Sequence, residues 1–207
     1  MPVVMIVQAR VSSTRLPGKV LREVLGRPLL AYQVERLRRV RRADRLVLAT
    51  TEEDVLSRYH LAGEKLGADT VVRVTSDCPL IDPAVIDRVI GVFGEHGGEM
   101  DYVANTLERT YPRGMDCEVM AWETLAEAHR EAVDPLDREH VTRYIYRHPQ
   151  KYRLGNVACQ TDQSRHRWTV DTPEDFELIR RILEALYPEN PMFTLEDCLQ
   201  LLERHPD

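Results

Sequence analysis

Residues 3–20 read VVMIVQARVSSTRLPGKV, an unbroken apolar run from Val3 to Val7 that passes at once into a polar, basic loop. Such a run, rich in β-branched side chains and without polar alternation, suits a strand covered on both faces, as in a parallel sheet. It is far too short to span a membrane and has no basic region ahead of it, so neither an anchor nor a signal peptide is expected. In open α/β sheets ligands bind beyond the carboxyl ends of the strands, which directs attention to the loop from Gln8 and Ala9 to Lys19. Ser12, Ser13 and Thr14 offer hydroxyls there, Gly18 lets the backbone approach a ligand, and Arg10, Arg15 and Lys19 supply positive charge. That mixture suits a polyphosphate, whose oxygens backbone N–H groups and fixed cations stabilise together. A solvated basic turn is the plainer alternative for a loop of this composition. It is not a GxxxxGK[ST] loop, because Gly18-Lys19 is followed by Val20.

Outward from this stretch, strands and helices alternate. Leu29, Leu30, Val34, Leu37 and Val40 recur at helical spacing with arginines opposite, predicting an amphipathic helix. Arg45 to Thr50 reads as a second strand, Glu52 to Leu66 as a helix and Thr70 to Val74 as a third strand. Asp82-Pro83 is a strong helix start, with an N-cap acid and proline at the first helical position; the helix should stop within Gly94 to Gly98. Further strands are predicted near Tyr102-Val103, Glu118 to Met120 and Trp168 to Val170. Helices are predicted over Trp122 to Ala132, Arg138 to His148, Pro173 to Leu186 and Leu195 to Glu203. This order predicts one α/β domain over residues 1–207, built on a doubly wound sheet.

A chain of 207 residues can bury a sizeable core without staples. Its net charge of −6 argues against a general nucleic-acid binder, which needs a basic surface, while the clustered arginines leave room for a small anion. The four cysteines, Cys78, Cys117, Cys159 and Cys198, lie far apart with no metal-finger spacing, as expected of reduced thiols in the cytoplasm.

Two acids extend the candidate site. Asp77 follows the Val71 to Val74 strand directly, and Asp171 follows Trp168 to Val170 just before the helix begun by Thr172-Pro173. Carboxylates at two strand ends could share a Mg²⁺, which prefers oxygen ligands and keeps several waters. Taken alone, Asp171 would read as an acid favoured by a helix N-terminus.

At these residues the chain resembles the spore-coat polysaccharide biosynthesis cytidylyltransferase family, the SpsF-like branch. More distantly it is similar to the synthetases that activate sialic acid and 3-deoxy-manno-octulosonate with CTP. The matching stretches are IVQARVSSTRLPGKVL (6–21), TSDCPLID (75–82), YVANTLERTYPRGMDCEV (102–119), REHVTRYIY (138–146) and RWTVDTPEDFELIR (167–180). They run in family order over nearly the whole chain, and QARxxSTRLPGK is the most specific of them.

The resemblance implies a Rossmann-like, three-layer nucleotide-diphospho-sugar transferase fold with a mostly parallel central sheet. It implies transfer of a nucleotidyl group from CTP, or another NTP, to a sugar acid, with pyrophosphate released. Gln8, Ala9, Arg10, Ser12, Ser13, Arg15, Gly18, Lys19 and Asp77 would then contact the nucleotide, Asp77 and Asp171 would hold Mg²⁺, and Arg10, Lys19, Asp77 and Asp171 would carry the chemistry. Tyr111, Arg113, Asp116 and Glu118 would lie on the acceptor side, with Arg138, Glu139 and His140 as a second acceptor-side group. A homodimer is also implied. A glycosyltransferase with a DxD metal motif fits less well, because the segment reads SDCPLID.

Two departures stand out. Ser76 occupies the place where the family usually has glycine before the first metal aspartate. At Thr50-Thr51-Glu52-Glu53-Asp54 the chain joins directly where family members carry a further helix and strand, about 25–30 residues or one αβ unit. The join marks either a genuine deletion or a segment that these residues do not include. A nucleotide-binding protein weakened in catalysis, or a nucleotidyltransferase using another NTP or a sugar phosphate, are the competing readings.

Overall fold

Val3–Gln8 forms β1, and its side chains divide between two cores as the sequence pattern requires: Met5 and Val7 face one, Val4 and Ile6 the other. The computed structural model describes residues 2–9, 15–50, 54–96 and 98–205. After β1 come a 3-10 turn over Lys19–Leu21, a small hairpin of β2 (Glu23–Val24) and β3 (Arg27–Pro28), and α1 (Leu29–Leu37). The hairpin turn holds Leu25 at φ 51° and Gly26 at φ 71°, the two left-handed positions that a tight hairpin demands. A leucine there is an unusual choice, and the hairpin is not legible from sequence.

The chain continues through β4 (Arg45–Ala49), α2 (Val55–Leu66), β5 (Thr70–Thr75), α3 (Pro83–Glu95), β6 (Tyr102–Ala104) and β7 (Glu118–Ala121). Then follow α4 (Trp122–Glu131), α5 (Pro135–His140), α6 (Arg143–Tyr146), β8 (Leu154–Asn156), α7 (Pro173–Leu186) and α8 (Leu195–Arg204). The main sheet has the order β4-β1-β5-β7-β6-β8. β1 is parallel to both β4 and β5, and β6 to β8, while β7 runs antiparallel to its neighbours β5 and β6. Five strands therefore share one direction, and one runs against them.

Helices cover both faces. Apolar residues of α1, α3, α7 and α8 pack with Val72, Val103 and Val119 on one side. Those of α2, α4 and α6 pack with Val71, Tyr102 and Met120 on the other. This is the expected three-layer α/β arrangement.

Two local expectations are corrected. Trp168 to Val170 joins no sheet; its backbone pairs instead with two loops, Trp168 N–H donating to Arg113 O at 2.7 Å and Val170 N–H to Asp77 O at 2.9 Å. The predicted helix over 138–148 is broken into α5 and α6 at Val141, whose φ is +56°. The cause is packing: the break buries Val141 in the core and turns the Thr142 hydroxyl onto Glu118 at 2.5 Å. Strand β8, with its Gly155, carries too weak a β signal to be read in advance. Helix α2 begins at Val55, and the expected helical start at Glu52 and Glu53 lies outside the described residues.

Polar side chains of α1 fix the loop after β5. Gln33 Nε2 donates to Thr75 O at 2.7 Å, Arg36 Nε to Ile81 O at 2.8 Å, and Arg36 Nη2 to Phe193 O at 2.9 Å. Burial lowers the Arg36 guanidinium to about 10, so it remains charged at neutral pH. Asp82 accepts from Ala84 N–H and Leu195 N–H, both at 2.8 Å, tying the start of α3 to that of α8. The segment carrying Asp77 is thereby held from both ends. No helix among the described residues is long and apolar enough to cross a membrane.

Candidate active site

Gly18, at φ 66°, lets the chain turn sharply after Pro17, and the 3-10 turn that follows aims Lys19 inward. Its ammonium sits between two carboxylates, donating to Asp77 Oδ2 at 3.1 Å and to Asp171 Oδ1 at 2.8 Å. Burial opposes the Lys19 charge, but Asp77 and then Asp171 hold its pKa above the ordinary lysine range. Arg15 reaches the same Asp171 Oδ1 at 3.0 Å with a largely exposed side chain.

Asp171 Oδ2 accepts from Arg167 Nη2 at 2.8 Å. Arg167 is itself anchored by Asp175, through Nε to Oδ1 at 3.0 Å and Nη2 to Oδ2 at 3.2 Å. Asp175 Oδ2 also accepts the backbone N–H groups of Asp171 at 2.9 Å and Thr172 at 3.1 Å, closing the capping box that starts α7. Burial works against the Asp171 charge, yet Lys19, Arg167 and Arg15 together hold its carboxyl below the usual range. Arg167 and Asp175 thus orient Asp171, leaving Oδ1 to face the cation.

The loop over 111–115 supports this arrangement from beneath. Arg113 pairs with Arg167 in an isolated parallel bridge, and Asn105 donates to Met115 O at 2.7 Å while accepting from Cys117 N–H at 2.9 Å. Gly114 has φ 104°, and a Cβ there would lie 2.6 Å from Trp168 O, which is backbone and cannot yield cheaply. Gly114→Ala is therefore expected to cost about 2–3 kcal/mol, measured as a lowered urea midpoint. A stability change below ~0.5 kcal/mol would show that the contact is not a constraint.

Beside the cation cluster lies a cleft of about 550 Å³, lined among others by Arg73, Thr75, Arg113, Glu118, His140 and Tyr146. Arg109 binds Asp116 through two contacts, at 2.6 and 2.9 Å, and Arg73 forms a buried ion pair with Glu118. Burial opposes the Arg73 charge, and Glu118 more than offsets it, so the guanidinium titrates above its ordinary range. Arg113 is the lining guanidinium that has no ion pair or side-chain hydrogen bond among the described residues.

Lys19, Arg15, Asp77 and Asp171 are brought together, and Arg113, Asp116, Glu118 and His140 meet in the adjoining cleft. Gln8 ends β1 and Ala9 follows it into the loop, and the Gln8 Oε1 is buried without a hydrogen-bond partner among the described residues. Arg10, Ser12 and Ser13 lie outside the described residues. Tyr111 is not in the cleft: it is buried in the core, its hydroxyl 3.4 Å from Arg88 Nη1. Arg138 is likewise turned away, donating to His129 O, Ala132 O, Ser57 Oγ and Asp54 Oδ2, while Glu139 is exposed. Sequence reasoning missed Arg73, Arg109 and Thr142 in the cleft; a charged residue inside the apolar strand VVRV was the one available signal. All four cysteines are free, and burial pushes the Cys78 and Cys117 thiols well up, leaving neither as a ready nucleophile.

The family model described as cytidylyltransferase matches residues 4–60 and 52–197. The spore coat polysaccharide biosynthesis protein SpsF of Bacillus subtilis is 31% identical over 235 aligned positions, covering 99% of this chain and 95% of its own. A cytidylyltransferase structure from Leptospira borgpetersenii superposes with TM-score 0.94 at 28% identity, covering 100% of this chain and 95% of the other. A structure of CMP:2-keto-3-deoxy-manno-octonic acid synthetase complexed with CTP has TM-score 0.68 at 16% identity, covering 89% and 99%, a likeness of fold. By its sequence matches and by its architecture, the chain belongs to the cytidylyltransferase family of enzymes.

Proposed function

We propose that this enzyme transfers a cytidylyl group from CTP to a hydroxyl of a sugar acid for surface-polysaccharide synthesis. The observation that carries the reading is the convergence of Asp77 and Asp171, from two separate segments, on one partly buried cation. A position that holds an ammonium between two carboxylate oxygens also fits a divalent cation such as Mg²⁺, with further oxygens supplied by phosphate and water. When bound there, the metal would neutralise phosphate charge and help to orient the attacking oxygen.

The chain's own groups do the rest. Lys19 and Arg15 bind the triphosphate oxygens, and Gly18 allows the backbone to approach them. The acceptor hydroxyl attacks the α-phosphorus; the new O–P bond forms as the α–β bridge breaks and pyrophosphate departs. Arg113, a guanidinium of the cleft without an ion pair among the described residues, receives the acceptor's carboxylate, a planar anion that it can bind in bidentate fashion. The His140 imidazole lines the same cleft and can accept the hydroxyl proton. Positioning and charge stabilisation supply most of the rate in such a site.

The test is pyrophosphate release from each NTP with Mg²⁺ and a panel of nonulosonic and octulosonic acids. Release with CTP and one acid is expected. Release with a different NTP or with sugar phosphates alone would sink the cytidylyl assignment. A second reading rests on the alignment with SpsF, which runs over 235 positions against a chain of 207 residues. If the residues lacking here held the base, the protein would bind nucleotide and release no pyrophosphate with any pair.

A further inference from the structure

Among the described residues three cations, Arg15, Lys19 and Arg167, face three carboxylates, Asp77, Asp171 and Asp175, so these six charges balance without any bound ion. Its members are not held equally. Arg167 is bound at once by Asp171 and Asp175, whose carboxylate is itself pinned by backbone N–H groups. Lys19 ends a flexible stem, and the side chain of Arg15 is 65% exposed, so these two can swing away while Arg167 stays. Both lie on the loop that the proposed function assigns to the triphosphate.

We infer that Lys19 is an internal stand-in for the divalent cation, so that the metal enters only together with the nucleotide. The inference rests on the cytidylyl-transfer reading for the identity of the nucleotide. An ion arriving alone would have to displace an ammonium that then has no partner, at a site whose charge is already cancelled. An ion arriving with a triphosphate brings the anion to which Lys19 and Arg15 transfer. Metal and nucleotide affinities are then coupled, each raising the other by the same factor.

The consequence has a sign opposite to that of ordinary loss of a site residue. Lys19→Gln leaves Asp77 without a counter-ion among the described residues while Asp171 keeps Arg167 and Arg15, so the cluster gains one uncompensated negative charge, which favours an incoming cation. Mn²⁺ binding to the nucleotide-free protein, followed by the six-line electron paramagnetic resonance of free Mn²⁺, should tighten at least about tenfold in Lys19→Gln. In the wild type, CTP should tighten Mn²⁺ binding beyond what CTP alone sequesters. Equal or weaker Mn²⁺ binding by a Lys19→Gln protein with native circular dichroism would overturn the inference. So would wild-type protein that binds Mn²⁺ as tightly without nucleotide as with it, a comparison that needs no variant to fold. Neither readout needs turnover: failure to release pyrophosphate would fall on the proposed reaction, while the Mn²⁺ result would still judge the stand-in.

Discussion

Alanine in place of Asp171 is expected to lower kcat about 10²–10³-fold, the range typical of removing one preorganised electrostatic element. The expectation follows from how much of the site is built around that carboxylate. One oxygen receives Lys19 and Arg15, and the other receives Arg167, which Asp175 anchors. Loss of the carboxylate frees Lys19 to rest on Asp77 alone and removes one of the two oxygens that would hold the metal. On the proposed mechanism the metal and the cations act on charge that develops at the α-phosphorus, so kcat and kcat/KM should fall together. The fold should tolerate the change, because each partly exposed cation keeps a partner: Lys19 retains Asp77, and Arg167 retains Asp175. A urea midpoint corresponding to a loss of no more than ~1 kcal/mol is expected. Asp77→Ala should give a matching loss of turnover. Steady-state kinetics that left either variant within a factor of three of wild type would remove that residue from the chemistry.

How far this site could be read from the sequence depends on which interactions are local. The run Val3 to Val7 declares a strand with two buried faces because each face needs its own apolar residues, and Met5 and Val7 do part from Val4 and Ile6. Asp77 could be placed because it follows a strand by two residues, and strand ends collect at one edge of a parallel sheet. Helix starts at Asp82-Pro83 and Thr172-Pro173 were legible because capping is local chemistry. What failed depends on distant partners. Trp168 to Val170 has strand composition, but its backbone hydrogen bonds go to Arg113 and Asp77 and not to an edge strand of the sheet. Nothing near Val141 announces a break in a helix; the turn is imposed by the buried Glu118, which is 24 positions away from the threonine it binds. Arg138 looked like an acceptor-side residue from its motif, yet its guanidinium ties α5 to α2 and the end of α4.

Glutamine at Glu118 is expected to destabilise the protein by about 3–5 kcal/mol, the cost of breaking a buried ion pair by removing one partner. Glu118 is 6% exposed and takes three donors, the Arg73 guanidinium, the Tyr102 hydroxyl at 2.6 Å and the Thr142 hydroxyl at 2.5 Å. A carboxylate can accept from all three; an amide offers one oxygen and must turn its NH₂ toward one of them. If the oxygen stays with the hydroxyls, Arg73 is left as a charge without a carboxylate, and its Nε already lacks a partner among the described residues. If the oxygen turns to Arg73, two buried hydroxyls face an amide donor. Burial, and then the Glu118 charge, hold the Tyr102 phenol well above its ordinary pKa, so it remains a neutral donor and cannot compensate. The loss should appear as a lowered urea midpoint with an unchanged slope. Pairing Glu118→Leu with Arg73→Met should recover most of it, since the penalty belongs to the uncompensated charge and not to the lost contact. A double variant as unstable as the sum of its singles would show that the two side chains act independently. In that case the cleft wall would owe its shape to packing, and the break at Val141 would need a cause other than Glu118.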